Sequence, residues 1–111
     1  MPFFRFHFVE DACLAKVSKQ LINRIQEAVG CPRDHIVLEN VHSVFIDDGE
    51  IKSTNNWPFV EVDYFERPQD VQKKLAHVIY EELSSAGYPH SDIHFRYLQP
   101  MNYYEDGDAL G

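Results

Sequence analysis

The sequence predicts a two-layer α+β sandwich: a four-stranded mixed sheet with two helices on one face, built from duplicated βαβ units. Three observations carry that expectation. Pro2-Phe3-Phe4-Arg5-Phe6-His7-Phe8-Val9-Glu10 matches Pro58-Phe59-Val60-Glu61-Val62-Asp63-Tyr64-Phe65-Glu66 position for position. Each of these runs alternates with the period of two expected of a strand. Each is followed by a helix-length amphipathic segment that ends in Gly-x-Pro, Gly30-Cys31-Pro32 in one copy and Gly87-Tyr88-Pro89 in the other.

In the first strand Phe4, Phe6 and Phe8 form one row, and Arg5, His7 and Val9 the other. The repeat partner sets Val60, Val62 and Tyr64 against Glu61, Asp63 and Phe65. The apolar even-numbered rows are expected under the helices, leaving a half-polar second face. Apolar residues at Leu14, Val17, Leu21, Ile25 and Ala28 predict a helix over residues 11–29, with Asp11 as N-cap and Gly30 as C-terminal stop. A second helix is expected from Pro68 to Ala86, with Val71, Leu75, Val78, Ile79 and Leu83 inward and Gly87 ending it. Strands over Ile36 to about Phe45 and Ile93 to about Gln99 complete two right-handed crossovers. The second copy's Ile93 is matched to Ile36.

These elements predict one domain: a first repeat over about 2–45, an insertion over 46–57, a second repeat over about 58–99, and a tail over 100–111. Asp48-Gly49, flanked by Ile46 and Ile51, predicts a hairpin within the insertion. Asn55-Asn56 predicts a loop, and the tail offers Tyr103 and Tyr104 for docking.

Composition narrows the function classes. At 111 residues, 44% hydrophobic and 25% charged, the chain has the make-up of an ordinary globular protein. A net charge of −8 disfavours nucleic acid and an anionic membrane surface. No apolar run is long enough to span a membrane, and no signal-peptide pattern is present. Two cysteines, Cys13 and Cys31, make no disulfide framework, so a cytoplasmic location is the expectation. The histidines lack metal-ligand spacing, and no phosphate loop or Gly-x-Ser-x-Gly occurs, so neither a metal nor a cofactor is expected.

A βαβ duplication opening with Met-Pro, with Gly-x-Pro after each helix, resembles the tautomerase superfamily, and most closely a bacterial branch near macrophage migration inhibitory factor. The resemblance spans residues 2 to about 99. It implies that Met1 is removed and that the exposed Pro2 nitrogen acts as general base on a small carboxylate-bearing substrate. A free α-amine titrates near pH 8, and apolar surroundings lower that value. The resemblance also implies a homotrimer, with three sheets around a polar-lined channel. Where the family commonly carries a lysine after the first helix, this chain has Cys31; where it carries Tyr and Asn in the last strand, this chain has His94 and Arg96. Substrate-binding candidates are therefore Arg96, His94 and Arg5. Pairing of Arg5 with Glu61 or Asp63 is the simpler reading of that residue. Pro58 repeats Pro2 without any possibility of being an amine, so a structural role for both prolines stays open beside the catalytic one. Two functions follow: a keto–enol tautomerase, or a non-catalytic binding or interaction protein on the same fold.

Overall fold

A computed structural model describes residues 2–53 and 57–111. Met1 and the expected Asn55-Asn56 loop lie outside the described residues. Strand β1 (Phe3–His7) leads into helix α1 (Asp11–Val29), a 3₁₀ turn (Arg33–His35) and strand β2 (Val37–Val41). A hairpin of β3 (Phe45–Asp47) and β4 (Glu50–Lys52) precedes β5 (Phe59–Phe65), α2 (Gln69–Ser85) and β6 (Asp92–Leu98). A second 3₁₀ turn (Pro100–Asn102) and a small hairpin, β7 (Tyr104–Glu105) and β8 (Asp108–Ala109), form the tail.

The main sheet has the order β2-β1-β5-β6. β1 and β2 run parallel, as do β5 and β6, and the central β1–β5 pair is antiparallel. Arg5 pairs with Glu61, its own repeat mate, so a pseudo-twofold axis passes through that pair. The two units repeat each other in backbone detail: the Pro2 carbonyl accepts from the Val37 N–H (3.2 Å), and the Pro58 carbonyl from the Asp92 N–H (3.1 Å).

The even-numbered rows form the core as expected. Phe4, Phe6, Val60, Val62 and Tyr64 are fully buried beneath Leu21 and Ile25 of α1 and Leu75, Ile79 and Leu83 of α2. Each such side chain contributes roughly 1.5–3 kcal/mol by leaving water. Arg24 ties the helices together, donating to Glu82 (2.9 Å) and Glu81 (2.6 Å).

Phe8 departs from the expected alternation. Its φ of 68° ends β1 at His7 and reverses the side-chain order, so Val9 enters the core. The Phe8 ring instead meets Phe45 (4.9 Å) and Phe59 (5.7 Å) on the other side. The same break shortens the second strand. Val41 pairs with His7, the last residue β1 offers, so β2 stops there and Phe45 begins the hairpin. The hairpin turn falls at Asp48-Gly49, both with positive φ, as its Asp-Gly sequence predicts.

Two boundaries also differ. Asp11 is the first helical residue rather than the N-cap, because its carboxylate is engaged by Asn40 (2.7 Å) and His42 (2.8 Å) and Glu10 occupies the cap position. Val37 follows Gly30 by seven positions and Asp92 follows Gly87 by five, so the register makes Leu38, not Ile36, the mate of Ile93. The Arg33–His35 turn absorbs the difference.

Candidate functional site

Pro2 precedes the central strand. Its ring is fully buried, and its carbonyl is fixed to β2. Extending the antiparallel register one step beyond Phe3–Asp63 sets Pro2 opposite Tyr64. Both are buried residues of the even-numbered row, and cross-strand neighbours on one face have Cβ atoms about 5 Å apart. An amine here would stand among apolar side chains, where its charged form is disfavoured.

Arg5, His94 and Arg96 belong to the opposite face, that of the odd-numbered rows of β1 and β5, because the register sets His94 beside Glu61 and Arg96 beside Asp63; Pro2 does not share a face with them. There Arg5 and Arg96 join a ladder of charges across all four strands. Arg5 donates from Nε to Glu39 (3.0 Å) and from Nη1 to Asp63 (2.7 Å). Arg96 donates to the same Asp63 carboxylate from Nε (2.8 Å) and Nη2 (3.3 Å), and Nη2 lies 3.1 Å from Glu61. His7 closes the ladder through Nε2 to Glu61 (2.5 Å). Of the two partners expected for Arg5, Asp63 takes it; Glu61 serves His7 and Arg96 instead.

Asp63 is the hub, with only 15% of its side chain exposed. Burial pushes its carboxyl up, but the Arg96 and Arg5 guanidiniums outweigh burial and hold it below its ordinary value. The His7 hydrogen bond, with smaller contributions from Arg96 and His94, holds Glu61 low as well. Both carboxylates are therefore ionised at neutral pH and occupy the arginines from the protein's own side. Arg96 remains 57% exposed, and no described residue engages its Nη1.

His94 is exposed beside this cluster, its ring stacked at 6.1 Å over Phe59, which in turn stacks on His7 at 4.2 Å. Cys31 is half-buried against the core just past α1. Among the described residues no group of His, Cys, Asp and Glu converges with the geometry of a metal site. The tail covers the Pro2 end of the odd-numbered face: Tyr103 packs on Phe65 (5.4 Å) and Phe3 (6.4 Å). Between Tyr103, Glu105, Leu110 and the Arg33–His35 turn lies a cavity of about 250 Å³.

Two polar groups at the end of β5 and the corner that follows it were not among the sequence-derived candidates. Tyr64 Oη and Arg67 Nε are buried and have no hydrogen-bond partner among the described residues. Burial pushes the Tyr64 hydroxyl up, the Arg67 charge acting in the opposite sense. A tyrosine at the end of an apolar row reads from sequence as core, and nothing in the Glu-Arg-Pro corner signals a buried Arg67 Nε.

Comparison with known proteins places this geometry. The family model described as "Domain of unknown function (DUF1904)" matches residues 1–109. The crystal structure of a DUF1904 domain from Sebaldella termitidis superposes with a TM-score of 0.87 at 28% identity, over 98% of this chain and 99% of that one. A fused 4-OT, solved as a wild-type asymmetric trimer, gives a TM-score of 0.77 at 10% identity over 97% and 95% of the two chains. A macrophage migration inhibitory factor-like protein from Entamoeba histolytica gives 0.69 at 13% identity over 97% and 96%. The last two show the fold: it is that of the tautomerase superfamily, as the Met-Pro opening and the doubled βαβ unit indicate. No protein with a curated description matches the chain.

Proposed function

The chain belongs to the DUF1904 family, and we propose that it is a tautomerase-type isomerase whose general base is Pro2 after removal of Met1. The observation that carries this reading is the placement of Pro2: a strand-opening proline in a tautomerase fold, its ring buried and its backbone pinned to β2. As a free secondary amine its lone pair takes the C3 proton of a small 2-oxo acid. The C–H electron pair becomes the C2–C3 double bond, the carbonyl pair moves onto oxygen, and the resulting enolate is reprotonated by the prolinium. An amine of ordinary pKa near 8, lowered by apolar surroundings, is substantially unprotonated at neutral pH.

The charged odd-numbered face is read as the inner lining of a homotrimer, by analogy with the trimeric fused 4-OT. Arg5 and Arg96 are neutralised within the ladder, which lets that face be enclosed without stranding a bare cation. Arg96 Nη1 and His94 remain available there to a ligand or a neighbouring copy.

Turnover of phenylpyruvate and 2-hydroxymuconate by the processed protein and by a form retaining Met1 tests the proposal. The processed form should tautomerise at least one, with a rate that rises with pH through the amine's pKa. The Met1 form should be inert, because its proline nitrogen is an amide. Pro2→Ala should lose most of the activity. Equal rates for the two forms would eliminate Pro2 as the base. One observation favours a second reading, a non-catalytic binding protein: Pro58 reproduces the burial and carbonyl hydrogen bond of Pro2 although it cannot be an amine. Inactivity of both forms would support it.

A further inference from the structure

Among the described residues three histidines stand within ion-pair reach of a carboxylate: His7 with Glu61, His42 with Asp11, and His77 with Glu81. His7 is enclosed in the charged ladder and stacked on Phe59, and His77 is exposed on α2 one turn from Glu81. The His42 pair differs from both, because it borders a cavity of about 270 Å³. The cavity lies where the parallel strands β1 and β2 reach their carboxyl ends, the place where parallel α/β units commonly take ligands. Glu10 and Asp11 enter it from the turn after β1, His42 and Ser43 from the segment after β2, and Ser53 from the end of the hairpin. Val9 and Val41 complete the wall.

The hydrogen bonds fix how the imidazole is presented. His42 Nε2 lies 2.8 and 2.9 Å from the two Asp11 oxygens. Asn40 Nδ2 donates to the same carboxylate (2.7 Å) and to the Val9 carbonyl (2.8 Å), which anchors Asp11 to the strand end. The His42 and Asn40 hydrogen bonds hold the Asp11 carboxyl below its ordinary value, so it is ionised at neutral pH. An ionised carboxylate can only accept, so the imidazole proton sits on Nε2 and the neutral ring carries its lone pair on Nδ1. No described residue engages Nδ1. An imidazole held in one tautomer by a carboxylate, with its second nitrogen open, is equipped as a general base. It shares the cavity with two serine hydroxyls, which can donate to a developing oxyanion. The lining holds two carboxylates and neither lysine nor arginine, so it repels an anionic substrate and admits a neutral one.

We infer that this cavity is a second catalytic site, in which His42 is the general base for hydrolysis of small neutral carboxylic esters, Asp11 is its positioning residue, and Ser43 and Ser53 donate to the carbonyl oxygen. His42 Nδ1 takes a proton from water as the water oxygen bonds to the acyl carbon and the carbonyl electron pair moves onto oxygen. The carbonyl re-forms as the bond from the acyl carbon to the alcohol oxygen breaks. The imidazolium returns its proton to the departing oxygen, and acid and alcohol leave. The site stands apart from the Pro2 reading: its substrate carries no carboxylate, and it lies at the opposite end of β1 from Pro2.

Release of p-nitrophenol from p-nitrophenyl acetate by the full chain tests the inference, with mono-p-nitrophenyl succinate as the anionic control. Wild type should cleave the acetate well above the rate of free imidazole at equal concentration, and the succinate at least about tenfold less well. The rate should rise from about pH 5 to pH 8, the range in which imidazole loses its proton. His42→Gln should lose at least about a hundredfold in kcat, the usual share of a general base. Asp11→Asn should lose kcat with little change in KM, because an amide that accepts from Asn40 presents its own N–H groups to Nε2 and drives the imidazole proton onto Nδ1. His77→Gln and Pro2→Ala should behave as wild type. His42 and Asp11 are 76% and 65% exposed, so both variants are expected to fold; should Asp11→Asn fail to do so, His42→Gln decides the matter alone. A wild-type rate no higher than that of free imidazole, a rate unmoved by His42→Gln, or an equal loss in His77→Gln would overturn the assignment. Unchanged kcat in Asp11→Asn would remove the positioning role, and equal cleavage of the succinate would remove the preference for neutral esters.

Discussion

Replacing Asp63 by Asn tests whether the charged ladder organises the odd-numbered face. The carboxylate receives three arginine contacts, from Arg5 at 2.7 Å and from Arg96 at 2.8 and 3.3 Å. Hydrogen bonds to charged groups contribute about 1.5–3 kcal/mol each when shielded. Arg5 and Arg96 are 36% and 57% exposed, however, which reduces their contributions toward those of surface pairs. Glu39 and Glu61 also remain to hold the two guanidiniums. The net loss expected is about 2–3 kcal/mol, or a fall in Tm of about 8–12 °C for a domain of this size. The pH dependence carries the sign. Asp63 and Glu61 have folded-state values below their ordinary ones. Their contribution is present above the unfolded-state carboxylate pKa, about 4, and is lost as pH falls through the depressed folded values. Wild type should therefore lose stability steeply below about pH 4, and Asp63→Asn should show a shallower acid limb. Thermal melts by circular dichroism from pH 2 to 8, at one fixed protein concentration, read both quantities. An Asp63→Asn protein melting within a degree of wild type at pH 7, with an unchanged acid limb, would refute the ladder as a stabilising element.

Light scattering at micromolar concentration should report a trimer; a species of 13 kDa would remove the enclosed-channel reading. Deleting residues 100–111 takes away Tyr103 from Phe3 and Phe65 and should lower the melting temperature of the assembly while leaving the protomer's circular dichroism recognisable; an unchanged trimer with unchanged melting would count against a role for the tail. Gly30→Ala should destabilise by about 1–2 kcal/mol in urea unfolding, because Gly30 has φ 76° while a Cβ there would meet nothing within 4 Å, so left-handed strain acts alone.

What was legible in the sequence was what depends on period and punctuation. The buried row Phe4, Phe6, Val60, Val62, Tyr64 follows from alternation, and both helices follow from their apolar stripes and their glycine stops. The Asp48-Gly49 turn follows from the φ values its residues tolerate. What escaped depends on partners distant in the chain. Phe8 adopts φ 68° because Phe45 and Phe59 receive its ring and Val9 fills the core in its place, a trade that no local pattern encodes. Asp11 looks like an N-cap until Asn40 and His42 claim it.

The candidate site divides along the same line. Sequence spacing correctly places Arg5, His94 and Arg96 on one face, because side chains two residues apart on a strand share a side. It cannot show that Asp63 neutralises both arginines, nor that Pro2 belongs to the other face. Cations that look poised for a substrate carboxylate are thereby committed to the protein's own acids. Among the described residues Tyr64 Oη, Arg67 Nε and Ser91 Oγ are buried donors without a partner, and a core aromatic, a corner arginine and a loop serine give no sign of that in the chain.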